Sequence, residues 1–364
     1  MTIRDVAATL RGEALAPGID PGAWLTLVER HGVAPLAYRA LRDRGRLAEL
    51  PGVVGNALAR AAREAALLES LRRDEAESVL GELAAAGVRP LVYKGAAVAY
   101  SHYPEPWLRW RADTDLLVAE ADRAAAARVF ERLGFVRTVR PSGRFVTKQF
   151  TYAGARRGAE TAYDVHWKIA DPVVFADLLR YETLDARAVA LPALGPVARR
   201  LSDVDAIAVA CIHRVAHHND AETLADLYDL ALVARGLDAG GWQRLVTLAS
   251  AVRIRRVCAR GLTLAADLFD VRVPDQVQHA LAEGGEAEAT SAYLGGRLRR
   301  IDLLRSDLQA LGGWRARLAL LREHVLPAPA YILNYYGRRQ PLLLPALYLY
   351  RIVRGAGDWF RPIA

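Results

Sequence analysis

Two aspartates in this chain are placed to do chemistry together. Asp113 and Asp115 are one residue apart and are followed by the apolar run Leu116-Leu117-Val118. On a β-strand alternate side chains share a face, so the two carboxylates are expected to lie close together. Like charges repel there unless a cation lies between them. Because hard ions such as Mg²⁺ prefer oxygen ligands, the pair predicts half of a phosphoryl-transfer site.

The alternative interpretation of this pair is two acidic residues on a solvent-facing strand edge. The apolar run argues against it, because a buried strand makes unpaired carboxylates costly.

A third carboxylate, Asp164, strengthens the metal hypothesis, since two-metal catalysis needs ligands that bridge and flank the ions. It lies in an alternating stretch, residues 161–169, that reads as a half-buried strand. Its polar face is predicted to carry Asp164, His166 and Lys168, and its other face Tyr163, Val165, Trp167 and Ile169. His166 is equally consistent with orienting Asp164, contacting phosphate, accepting a proton, or simply bonding a strand neighbour.

Upstream of the aspartates, Lys94-Gly95-Ala96 follows a short apolar stretch and precedes a predicted helix. A glycine lets the backbone approach a phosphate closely, and a lysine adds a positive charge. An ordinary strand-to-helix turn would have the same residues. Arg109 and Arg111 are either bidentate phosphate ligands or solvated loop arginines.

These motifs, in this order, resemble the DNA polymerase beta-type nucleotidyltransferase superfamily, and more narrowly its bacterial group of uncharacterised nucleotidyltransferases. The resemblance rests on Lys94-Gly95, on Asp-x-Asp with Leu-Leu-Val, and on Asp164-Val165-His166-Trp167. Helical flanks at residues 30–36, 224–230 and 325–329 extend it over most of the chain. Ala96 departs from the superfamily, which usually has glycine or serine there, and the gap before Asp113 is longer.

The resemblance implies a metal-dependent transferase. Asp113, Asp115 and Asp164 would be catalytic and would bind Mg²⁺ or Mn²⁺, which carries a nucleoside triphosphate. The nucleotide and its metal would also contact Lys94, Gly95, Ala96, Arg111 and His166. A nucleoside monophosphate would pass to a small molecule, RNA or protein, with pyrophosphate released. Two alternatives stay open: a catalytically inactive nucleotide-binding protein, and a scaffold that binds a partner.

A histidine cluster, His213, His217 and His218, lies in a helical pattern. His213 and His217 share one helix face, as helical metal ligands can. The motif His-Glu-x-x-His is absent, which excludes a zinc-protease site. A zinc site, a helix face packed on the catalytic domain, and direct substrate contact remain as interpretations.

The composition is that of an ordinary globular protein: of 364 residues, 52% are hydrophobic and 25% charged. A formal net charge of +8 would attract polyanions such as nucleotides, RNA or an anionic membrane face. A compositional bias of the source genome toward alanine and arginine would explain the charge equally well. Cys211 and Cys258 are predicted to be reduced core residues of a cytoplasmic protein.

No signal peptide or membrane span is predicted. The longest apolar run, residues 341–350, contains Pro345 and is shorter than the roughly 20 residues that a membrane helix needs. With Trp359 and Phe360, this tail either contacts a membrane surface or packs on the body of the protein.

The hydrophobic pattern predicts an α+β fold: a small mixed sheet flanked by helices, with strands in hairpin order after the second helix. Three regions are expected: helical residues 1–85, a nucleotidyltransferase core at 86–190, and a helical domain at 191–364. No internal repeat is evident, and no motif specifies the base or the acceptor.

Overall fold

A computed structural model of the chain describes residues 1–15, 17–139, 143–156, 159–296 and 298–361. It confirms the predicted α+β class, with one mixed sheet and helices on both sides of it. Within the described part, no helix is both long and apolar enough to cross a membrane. Cys211 and Cys258 are free and buried, as predicted.

The amino-terminal region is helical. The apolar periodicity predicts this, and Asp20 caps the second helix by accepting hydrogen bonds from the N–H groups of Gly22 and Ala23. The first four helices are α1 (Ile3–Arg11), α2 (Pro21–Arg30), α3 (Ala34–Arg42) and α4 (Gly52–Ala85).

The sheet has seven strands within the described residues, in the order β3-β4-β5-β2-β1-β7-β6. The strands are β1 (Leu91–Val92), β2 (Thr114–Leu117), β3 (Val136–Arg137), β4 (Gln149–Arg156), β5 (Ala159–His166), β6 (Val189–Ala190) and β7 (Arg199–Arg200). The predicted hairpin order holds for β3, β4 and β5, which pair antiparallel, whereas β2 pairs parallel to β5. Strands β6 and β7 were not predicted, because two residues are too short to show an alternation.

Helices connect and follow the strands. Those within the sheet region are α5 (Lys94–Ser101), α6 (Arg123–Arg132), α7 (Val173–Ala176) and α8 (Tyr181–Ala186). Those after the last strand are α9 (Asp203–Ala216), α10 (Leu224–Arg235), α11 (Ala239–Ala251), α12 (Arg255–Phe269), α13 (Asp275–Ala282), α14 (Arg300–Ala310), α15 (Trp314–Val325), α16 (Pro329–Tyr335) and α17 (Leu344–Gly355).

Two hydrophobic clusters lie on opposite faces of the sheet. One face, with Leu91 and Leu117, packs against the amino-terminal helices and α9 to α13. The other, with Leu116, Tyr163 and Val165, packs against the end of α4, α5 and α6. The predicted alternation along β5 is therefore confirmed for Tyr163 and Val165, which point away from Asp164. The division into three domains remains a prediction, and the first cluster contains residues from all three regions.

Two arginines in the segment before β2 form ion pairs with carboxylates of two helices, α10 and α4. Arg109 donates to both oxygens of Asp229, at 2.9 and 2.8 Å, and to Asp226 at 3.0 Å, both on α10. Arg111 donates to Glu69 on α4 at 2.6 Å. These ion pairs set the point at which β2 enters the sheet.

Replacing Arg109 with alanine is expected to lower the free energy of unfolding by about 3–5 kcal/mol, because it leaves Asp229 buried without its cation. Burial already raises the pKa of Asp229 to about 6 despite Arg109, so the deficit should grow as the pH rises from about 5 to about 8 and the carboxylate ionises. Urea denaturation at both pH values measures this. The exposed Arg63→Ala is the control, with an expected change within about 0.5 kcal/mol. A loss as small as the control's would contradict the structural role.

Candidate functional site

The parallel pairing of β2 with β5 places two of the predicted carboxylates side by side. Asp115 is the direct partner of Asp164 in the register, so their side chains emerge on the same face of the sheet. His166 lies two residues further along β5 on that face. One ligand atom from each of Asp115, Asp164 and His166 lies within 4.8 Å of the other two. The structure thus brings together residues that are about 50 positions apart in sequence.

Lys94 reaches this group from the start of α5. Its Nζ lies 2.7 Å from Asp115 Oδ1 and 3.5 Å from His166 Nε2. The residue has a positive φ of 53°, an uncommon conformation outside glycine, which makes Lys94 the strained position of the turn. This backbone conformation directs the ammonium group of Lys94 at the buried carboxylate of Asp115.

The electrostatics of Asp115 follow from these neighbours. Burial alone would raise the pKa of Asp115, but Lys94 and the hydrogen bond with His166 hold that pKa below its usual value. The pKa of His166 is lowered, chiefly by burial and then by Lys94. Its ring is therefore neutral, with Nε2 2.9 Å from Asp115 Oδ1. In one tautomer Nε2 donates to Asp115; in the other its lone pair is available to a cation.

Asp164 is held by two side chains of β4. Gln149 Nε2 and Thr151 Oγ1 donate to its two carboxylate oxygens, each at 2.5 Å. The sequence prediction named neither donor, because it did not fix the register in which β4 pairs with β5 and sets Thr151 opposite Asp164. The usable signal was the alternation of Gln149 and Thr151 within a hairpin partner of the Asp164 strand.

Asp113 lies at the entrance to β2, one residue before the strand begins. It is half-buried and lines the same cavity as Asp115 and Asp164. Burial, and then the negative charges of those two aspartates, raise its pKa to about 6. Among the described residues, Asp113 is outside the tight group formed by Asp115, Asp164 and His166. Its role as a metal ligand stays a prediction.

The remainder of the Lys94-Gly95-Ala96 turn is closely packed. A side chain at Gly95 would lie 3.2 Å from the guanidinium of Arg109, so the ion-paired arginine accounts for the glycine. Ala96 is 2% exposed and packs in the core beneath the sheet. Both residues also line the cavity, and their contact with nucleotide remains a prediction.

Arg109 and Arg111, which precede β2, are not solvated loop residues, so the interpretation of them as solvated arginines is wrong. The side chains of Arg109 and Arg111 are 12% and 4% exposed, and both form ion pairs. Their guanidinium groups are committed to carboxylates of α10 and α4, although both residues border the cavity. The proposed contact of Arg111 with phosphate stays a prediction.

A cavity of about 480 Å³ lies between this sheet face and the carboxyl-terminal helices, within the range of roughly 300–1,000 Å³ usual for small-molecule sites. One wall carries the site residues described above. The opposite wall comes from α9, α10 and the turn after α9, and its polar residues include His213, Arg214, His217, His218, Asp226 and Asp229.

His213 and His217 of the histidine cluster face the site as neutral imidazoles. Burial, and then Lys94 and the other histidines, lower the pKa of His213 well below its usual value. Burial likewise lowers the pKa of His217 to about 4, against the opposing effect of Asp171. Within the described part of the chain, the metal-compatible group does not include these histidines. They lie on the cavity wall, and the zinc, packing and substrate-contact interpretations stay predictions.

The donor set of the site is compatible with a divalent cation. Two carboxylates and one imidazole nitrogen converge, and a third carboxylate with a raised pKa lies at the rim. Oxygen donors suit Mg²⁺ and Mn²⁺, and an imidazole adds a ligand that Mn²⁺ accepts more readily than Mg²⁺ does.

Comparison with known proteins adds one finding. The sequence profile described as an uncharacterised nucleotidyltransferase matches residues 17–270, which include α2 to α4, the sheet and α9 to α12. No curated protein matches the chain. The bacterial group and the superfamily stay predictions. Because the match covers most of the chain and contains every residue of the site, the chain belongs to the uncharacterised nucleotidyltransferase family.

Proposed function

We propose that this protein transfers a nucleoside monophosphate from a nucleoside triphosphate to a hydroxyl or phosphate oxygen of an acceptor. The acceptor oxygen forms a bond to the α-phosphorus, the bond from that phosphorus to the bridging oxygen breaks, and pyrophosphate leaves. The observation that carries the proposal is the register of β2 and β5, which sets Asp115 beside Asp164 in a cavity of ligand size.

Asp113, Asp115 and Asp164 are the residues proposed to hold Mg²⁺ or Mn²⁺, with His166 as a nitrogen neighbour. When bound, the cation would neutralise phosphate charge and stabilise the entering and leaving oxygens. Support comes from the raised pKa of Asp113, since crowded carboxylates are the arrangement that a cation relieves.

The chain's own residues supply positioning and charge. Lys94 would exchange its contact with Asp115 for one with phosphate oxygens, which its flexible stem permits. Asp164, held by Gln149 and Thr151, is assigned to the acceptor side, where it receives the acceptor's proton. Fixing a carboxylate in this way favours catalysis, because little reorganisation is needed when the substrate binds.

The opposite wall would contact the base or the acceptor. His213 Nδ1 is buried without a hydrogen-bond partner among the described residues, so it offers an unused polar atom next to the cavity. In this arrangement, helices cover a strand that carries the proposed metal ligands. It is consistent with the resemblance of the motif order to the DNA polymerase beta-type superfamily.

Asp113→Asn is expected to reduce pyrophosphate release at least about 100-fold while leaving the melting temperature unchanged or slightly raised. The reason is that the folded protein disfavours the charge of Asp113, as its raised pKa indicates, so the neutral amide costs no stability. Labelled nucleoside triphosphates, screened against metabolites, RNA and protein of a bacterial extract, give the activity.

The matched control is Asp267→Asn, an exposed carboxylate of α12, which should retain full transfer. Activity retained in Asp113→Asn would remove Asp113 from the mechanism. Calorimetric nucleotide binding by the unaltered protein without turnover on any acceptor would favour the inactive nucleotide-binding alternative, and absence of binding would leave the scaffold.

His166→Gln is expected to weaken Mn²⁺ binding about 10-fold or more and Mg²⁺ binding much less, because the substitution removes the nitrogen ligand and keeps the carboxylates. Calorimetry with each ion alone measures both affinities. The exposed His279→Gln serves as the control and should change neither. An equal loss for the two ions would show that His166 acts by orienting Asp115 and is not a ligand.

A further inference from the structure

The last part of the chain, residues 311–361, buries fewer of its apolar side chains than the body of the protein does. We call it the C-terminal segment; it contains α15, α16 and α17 and lies outside the family match. Across these three helices, Leu320 and Ile332 are the buried residues that the structure describes, and α17 contributes none. The segment therefore lacks a core of its own.

Exposed apolar residues are concentrated in this segment. Of the twenty large hydrophobic residues that the described chain exposes, twelve lie between Trp314 and Phe360. Leu342 is 92% exposed and Trp314 is 69% exposed. Scattered single residues of this kind are normal on a surface, whereas a concentration of them marks an interaction site.

The apolar residues of α17 form a continuous outward face. Leu349, Ile352 and Val353 are three and four positions apart, so they share one side of the helix, and they are 64%, 45% and 69% exposed. The opposite side packs on α16, and Tyr348 donates a hydrogen bond to the carbonyl of Pro327. A helix on the surface of a globular protein normally has the reverse arrangement, with its polar face outward.

The segment is also the most basic part of the chain. It holds eight arginines against two carboxylates, Glu323 and Asp358, so it contributes +6 of the net charge of +8. Glu323 is used internally, since it accepts hydrogen bonds from the backbone N–H groups of Arg144, Phe145 and Val146 and so docks α15 on the body. Arg338, Arg339 and Arg354 are exposed.

From this combination we infer that the C-terminal segment is a docking surface for an anionic lipid membrane. Aliphatic side chains flanked by tryptophan, tyrosine and arginine are the composition of helices that lie in the membrane interface, where the apolar face enters the acyl boundary and the arginines reach the phosphates.

Other occupants fit less well. RNA would use the arginines and aromatic rings but has no counterpart for Leu342, Leu349 and Val353, which neither stack nor form hydrogen bonds. A second copy of the chain would bring two segments of charge +6 together, and like charges across an interface oppose association. A lipid surface satisfies both the apolar face and the charge.

The segment adjoins the candidate active site. A second cavity, of about 470 Å³, is bordered by His324, Arg351 and Trp359 of the segment and by Asp171 and His217, which also line the first cavity. Membrane docking therefore involves a surface next to the catalytic cleft, whatever the acceptor is.

Sedimentation of the full-length protein with vesicles tests the inference. The protein should bind vesicles of phosphatidylcholine mixed with phosphatidylglycerol, bind phosphatidylcholine alone much less, and lose affinity as salt is added. Leu349→Gln combined with Val353→Gln should lower the vesicle partition coefficient at least about 10-fold, and Arg338→Gln combined with Arg339→Gln roughly 30-fold.

Matched controls come from α4, which offers exposed residues of the same types. Leu67→Gln with Val53→Gln, and Arg63→Gln with Arg73→Gln, should leave binding unchanged. Because all the altered side chains are exposed, melting temperatures should agree among the variants. The inference is overturned if no variant differs from the unaltered protein, if neither vesicle type is bound, or if single-stranded RNA competes away all vesicle binding.

One further outcome would assign the surface to self-association and overturn the lipid inference. It is a dimer that forms without lipid and is lost in Leu349→Gln with Val353→Gln, together with no sedimentation on anionic vesicles.

Discussion

The arrangement of this protein depends on one pairing, the parallel alignment of β2 with β5 that sets Asp115 directly beside Asp164. Two carboxylates in a half-buried sheet repel each other and lose hydration, an effect of several kcal/mol for each charge that is not compensated. The neighbouring elements offset it: α5 supplies Lys94, β5 supplies His166, and β4 supplies Gln149 and Thr151. The sheet order brings these four partners to the same place.

The arginines around the site show how burial assigns roles. Arg109 and Arg111 have the chemistry of phosphate ligands, yet each is paired with carboxylates of a helix and is almost fully buried. An uncompensated buried charge is more costly than an unused surface one, so an arginine enclosed by the fold is paired within it. Lys94 differs, because its partner Asp115 belongs to the site itself, and its charge remains available where a substrate would bind.

The body and the C-terminal segment differ in whether their apolar residues are buried or exposed. In the body, helices on both faces of the sheet bury their apolar sides in two clusters. In the segment, α17 turns Leu349, Ile352 and Val353 outward and keeps its arginines nearby. Since exposing such a face to water is unfavourable, the contrast is explained by a partner that covers it.

The sequence by itself predicted the α+β class and the uncharacterised nucleotidyltransferase family, and it named Asp113, Asp115, Asp164 and His166 as candidate site residues, because strand alternation and motif order are local properties of a chain. It also indicated that Leu349 and its neighbours are too short a run to span a membrane. The tertiary structure decided what local patterns cannot contain. It pairs Asp115 with Asp164 and places Gln149 and Thr151 as hydrogen-bond donors to Asp164. It also leaves the apolar residues of α17 without burial in the body of the protein. Register, ion pairing and burial join residues far apart in sequence, and they exist only once the chain has folded.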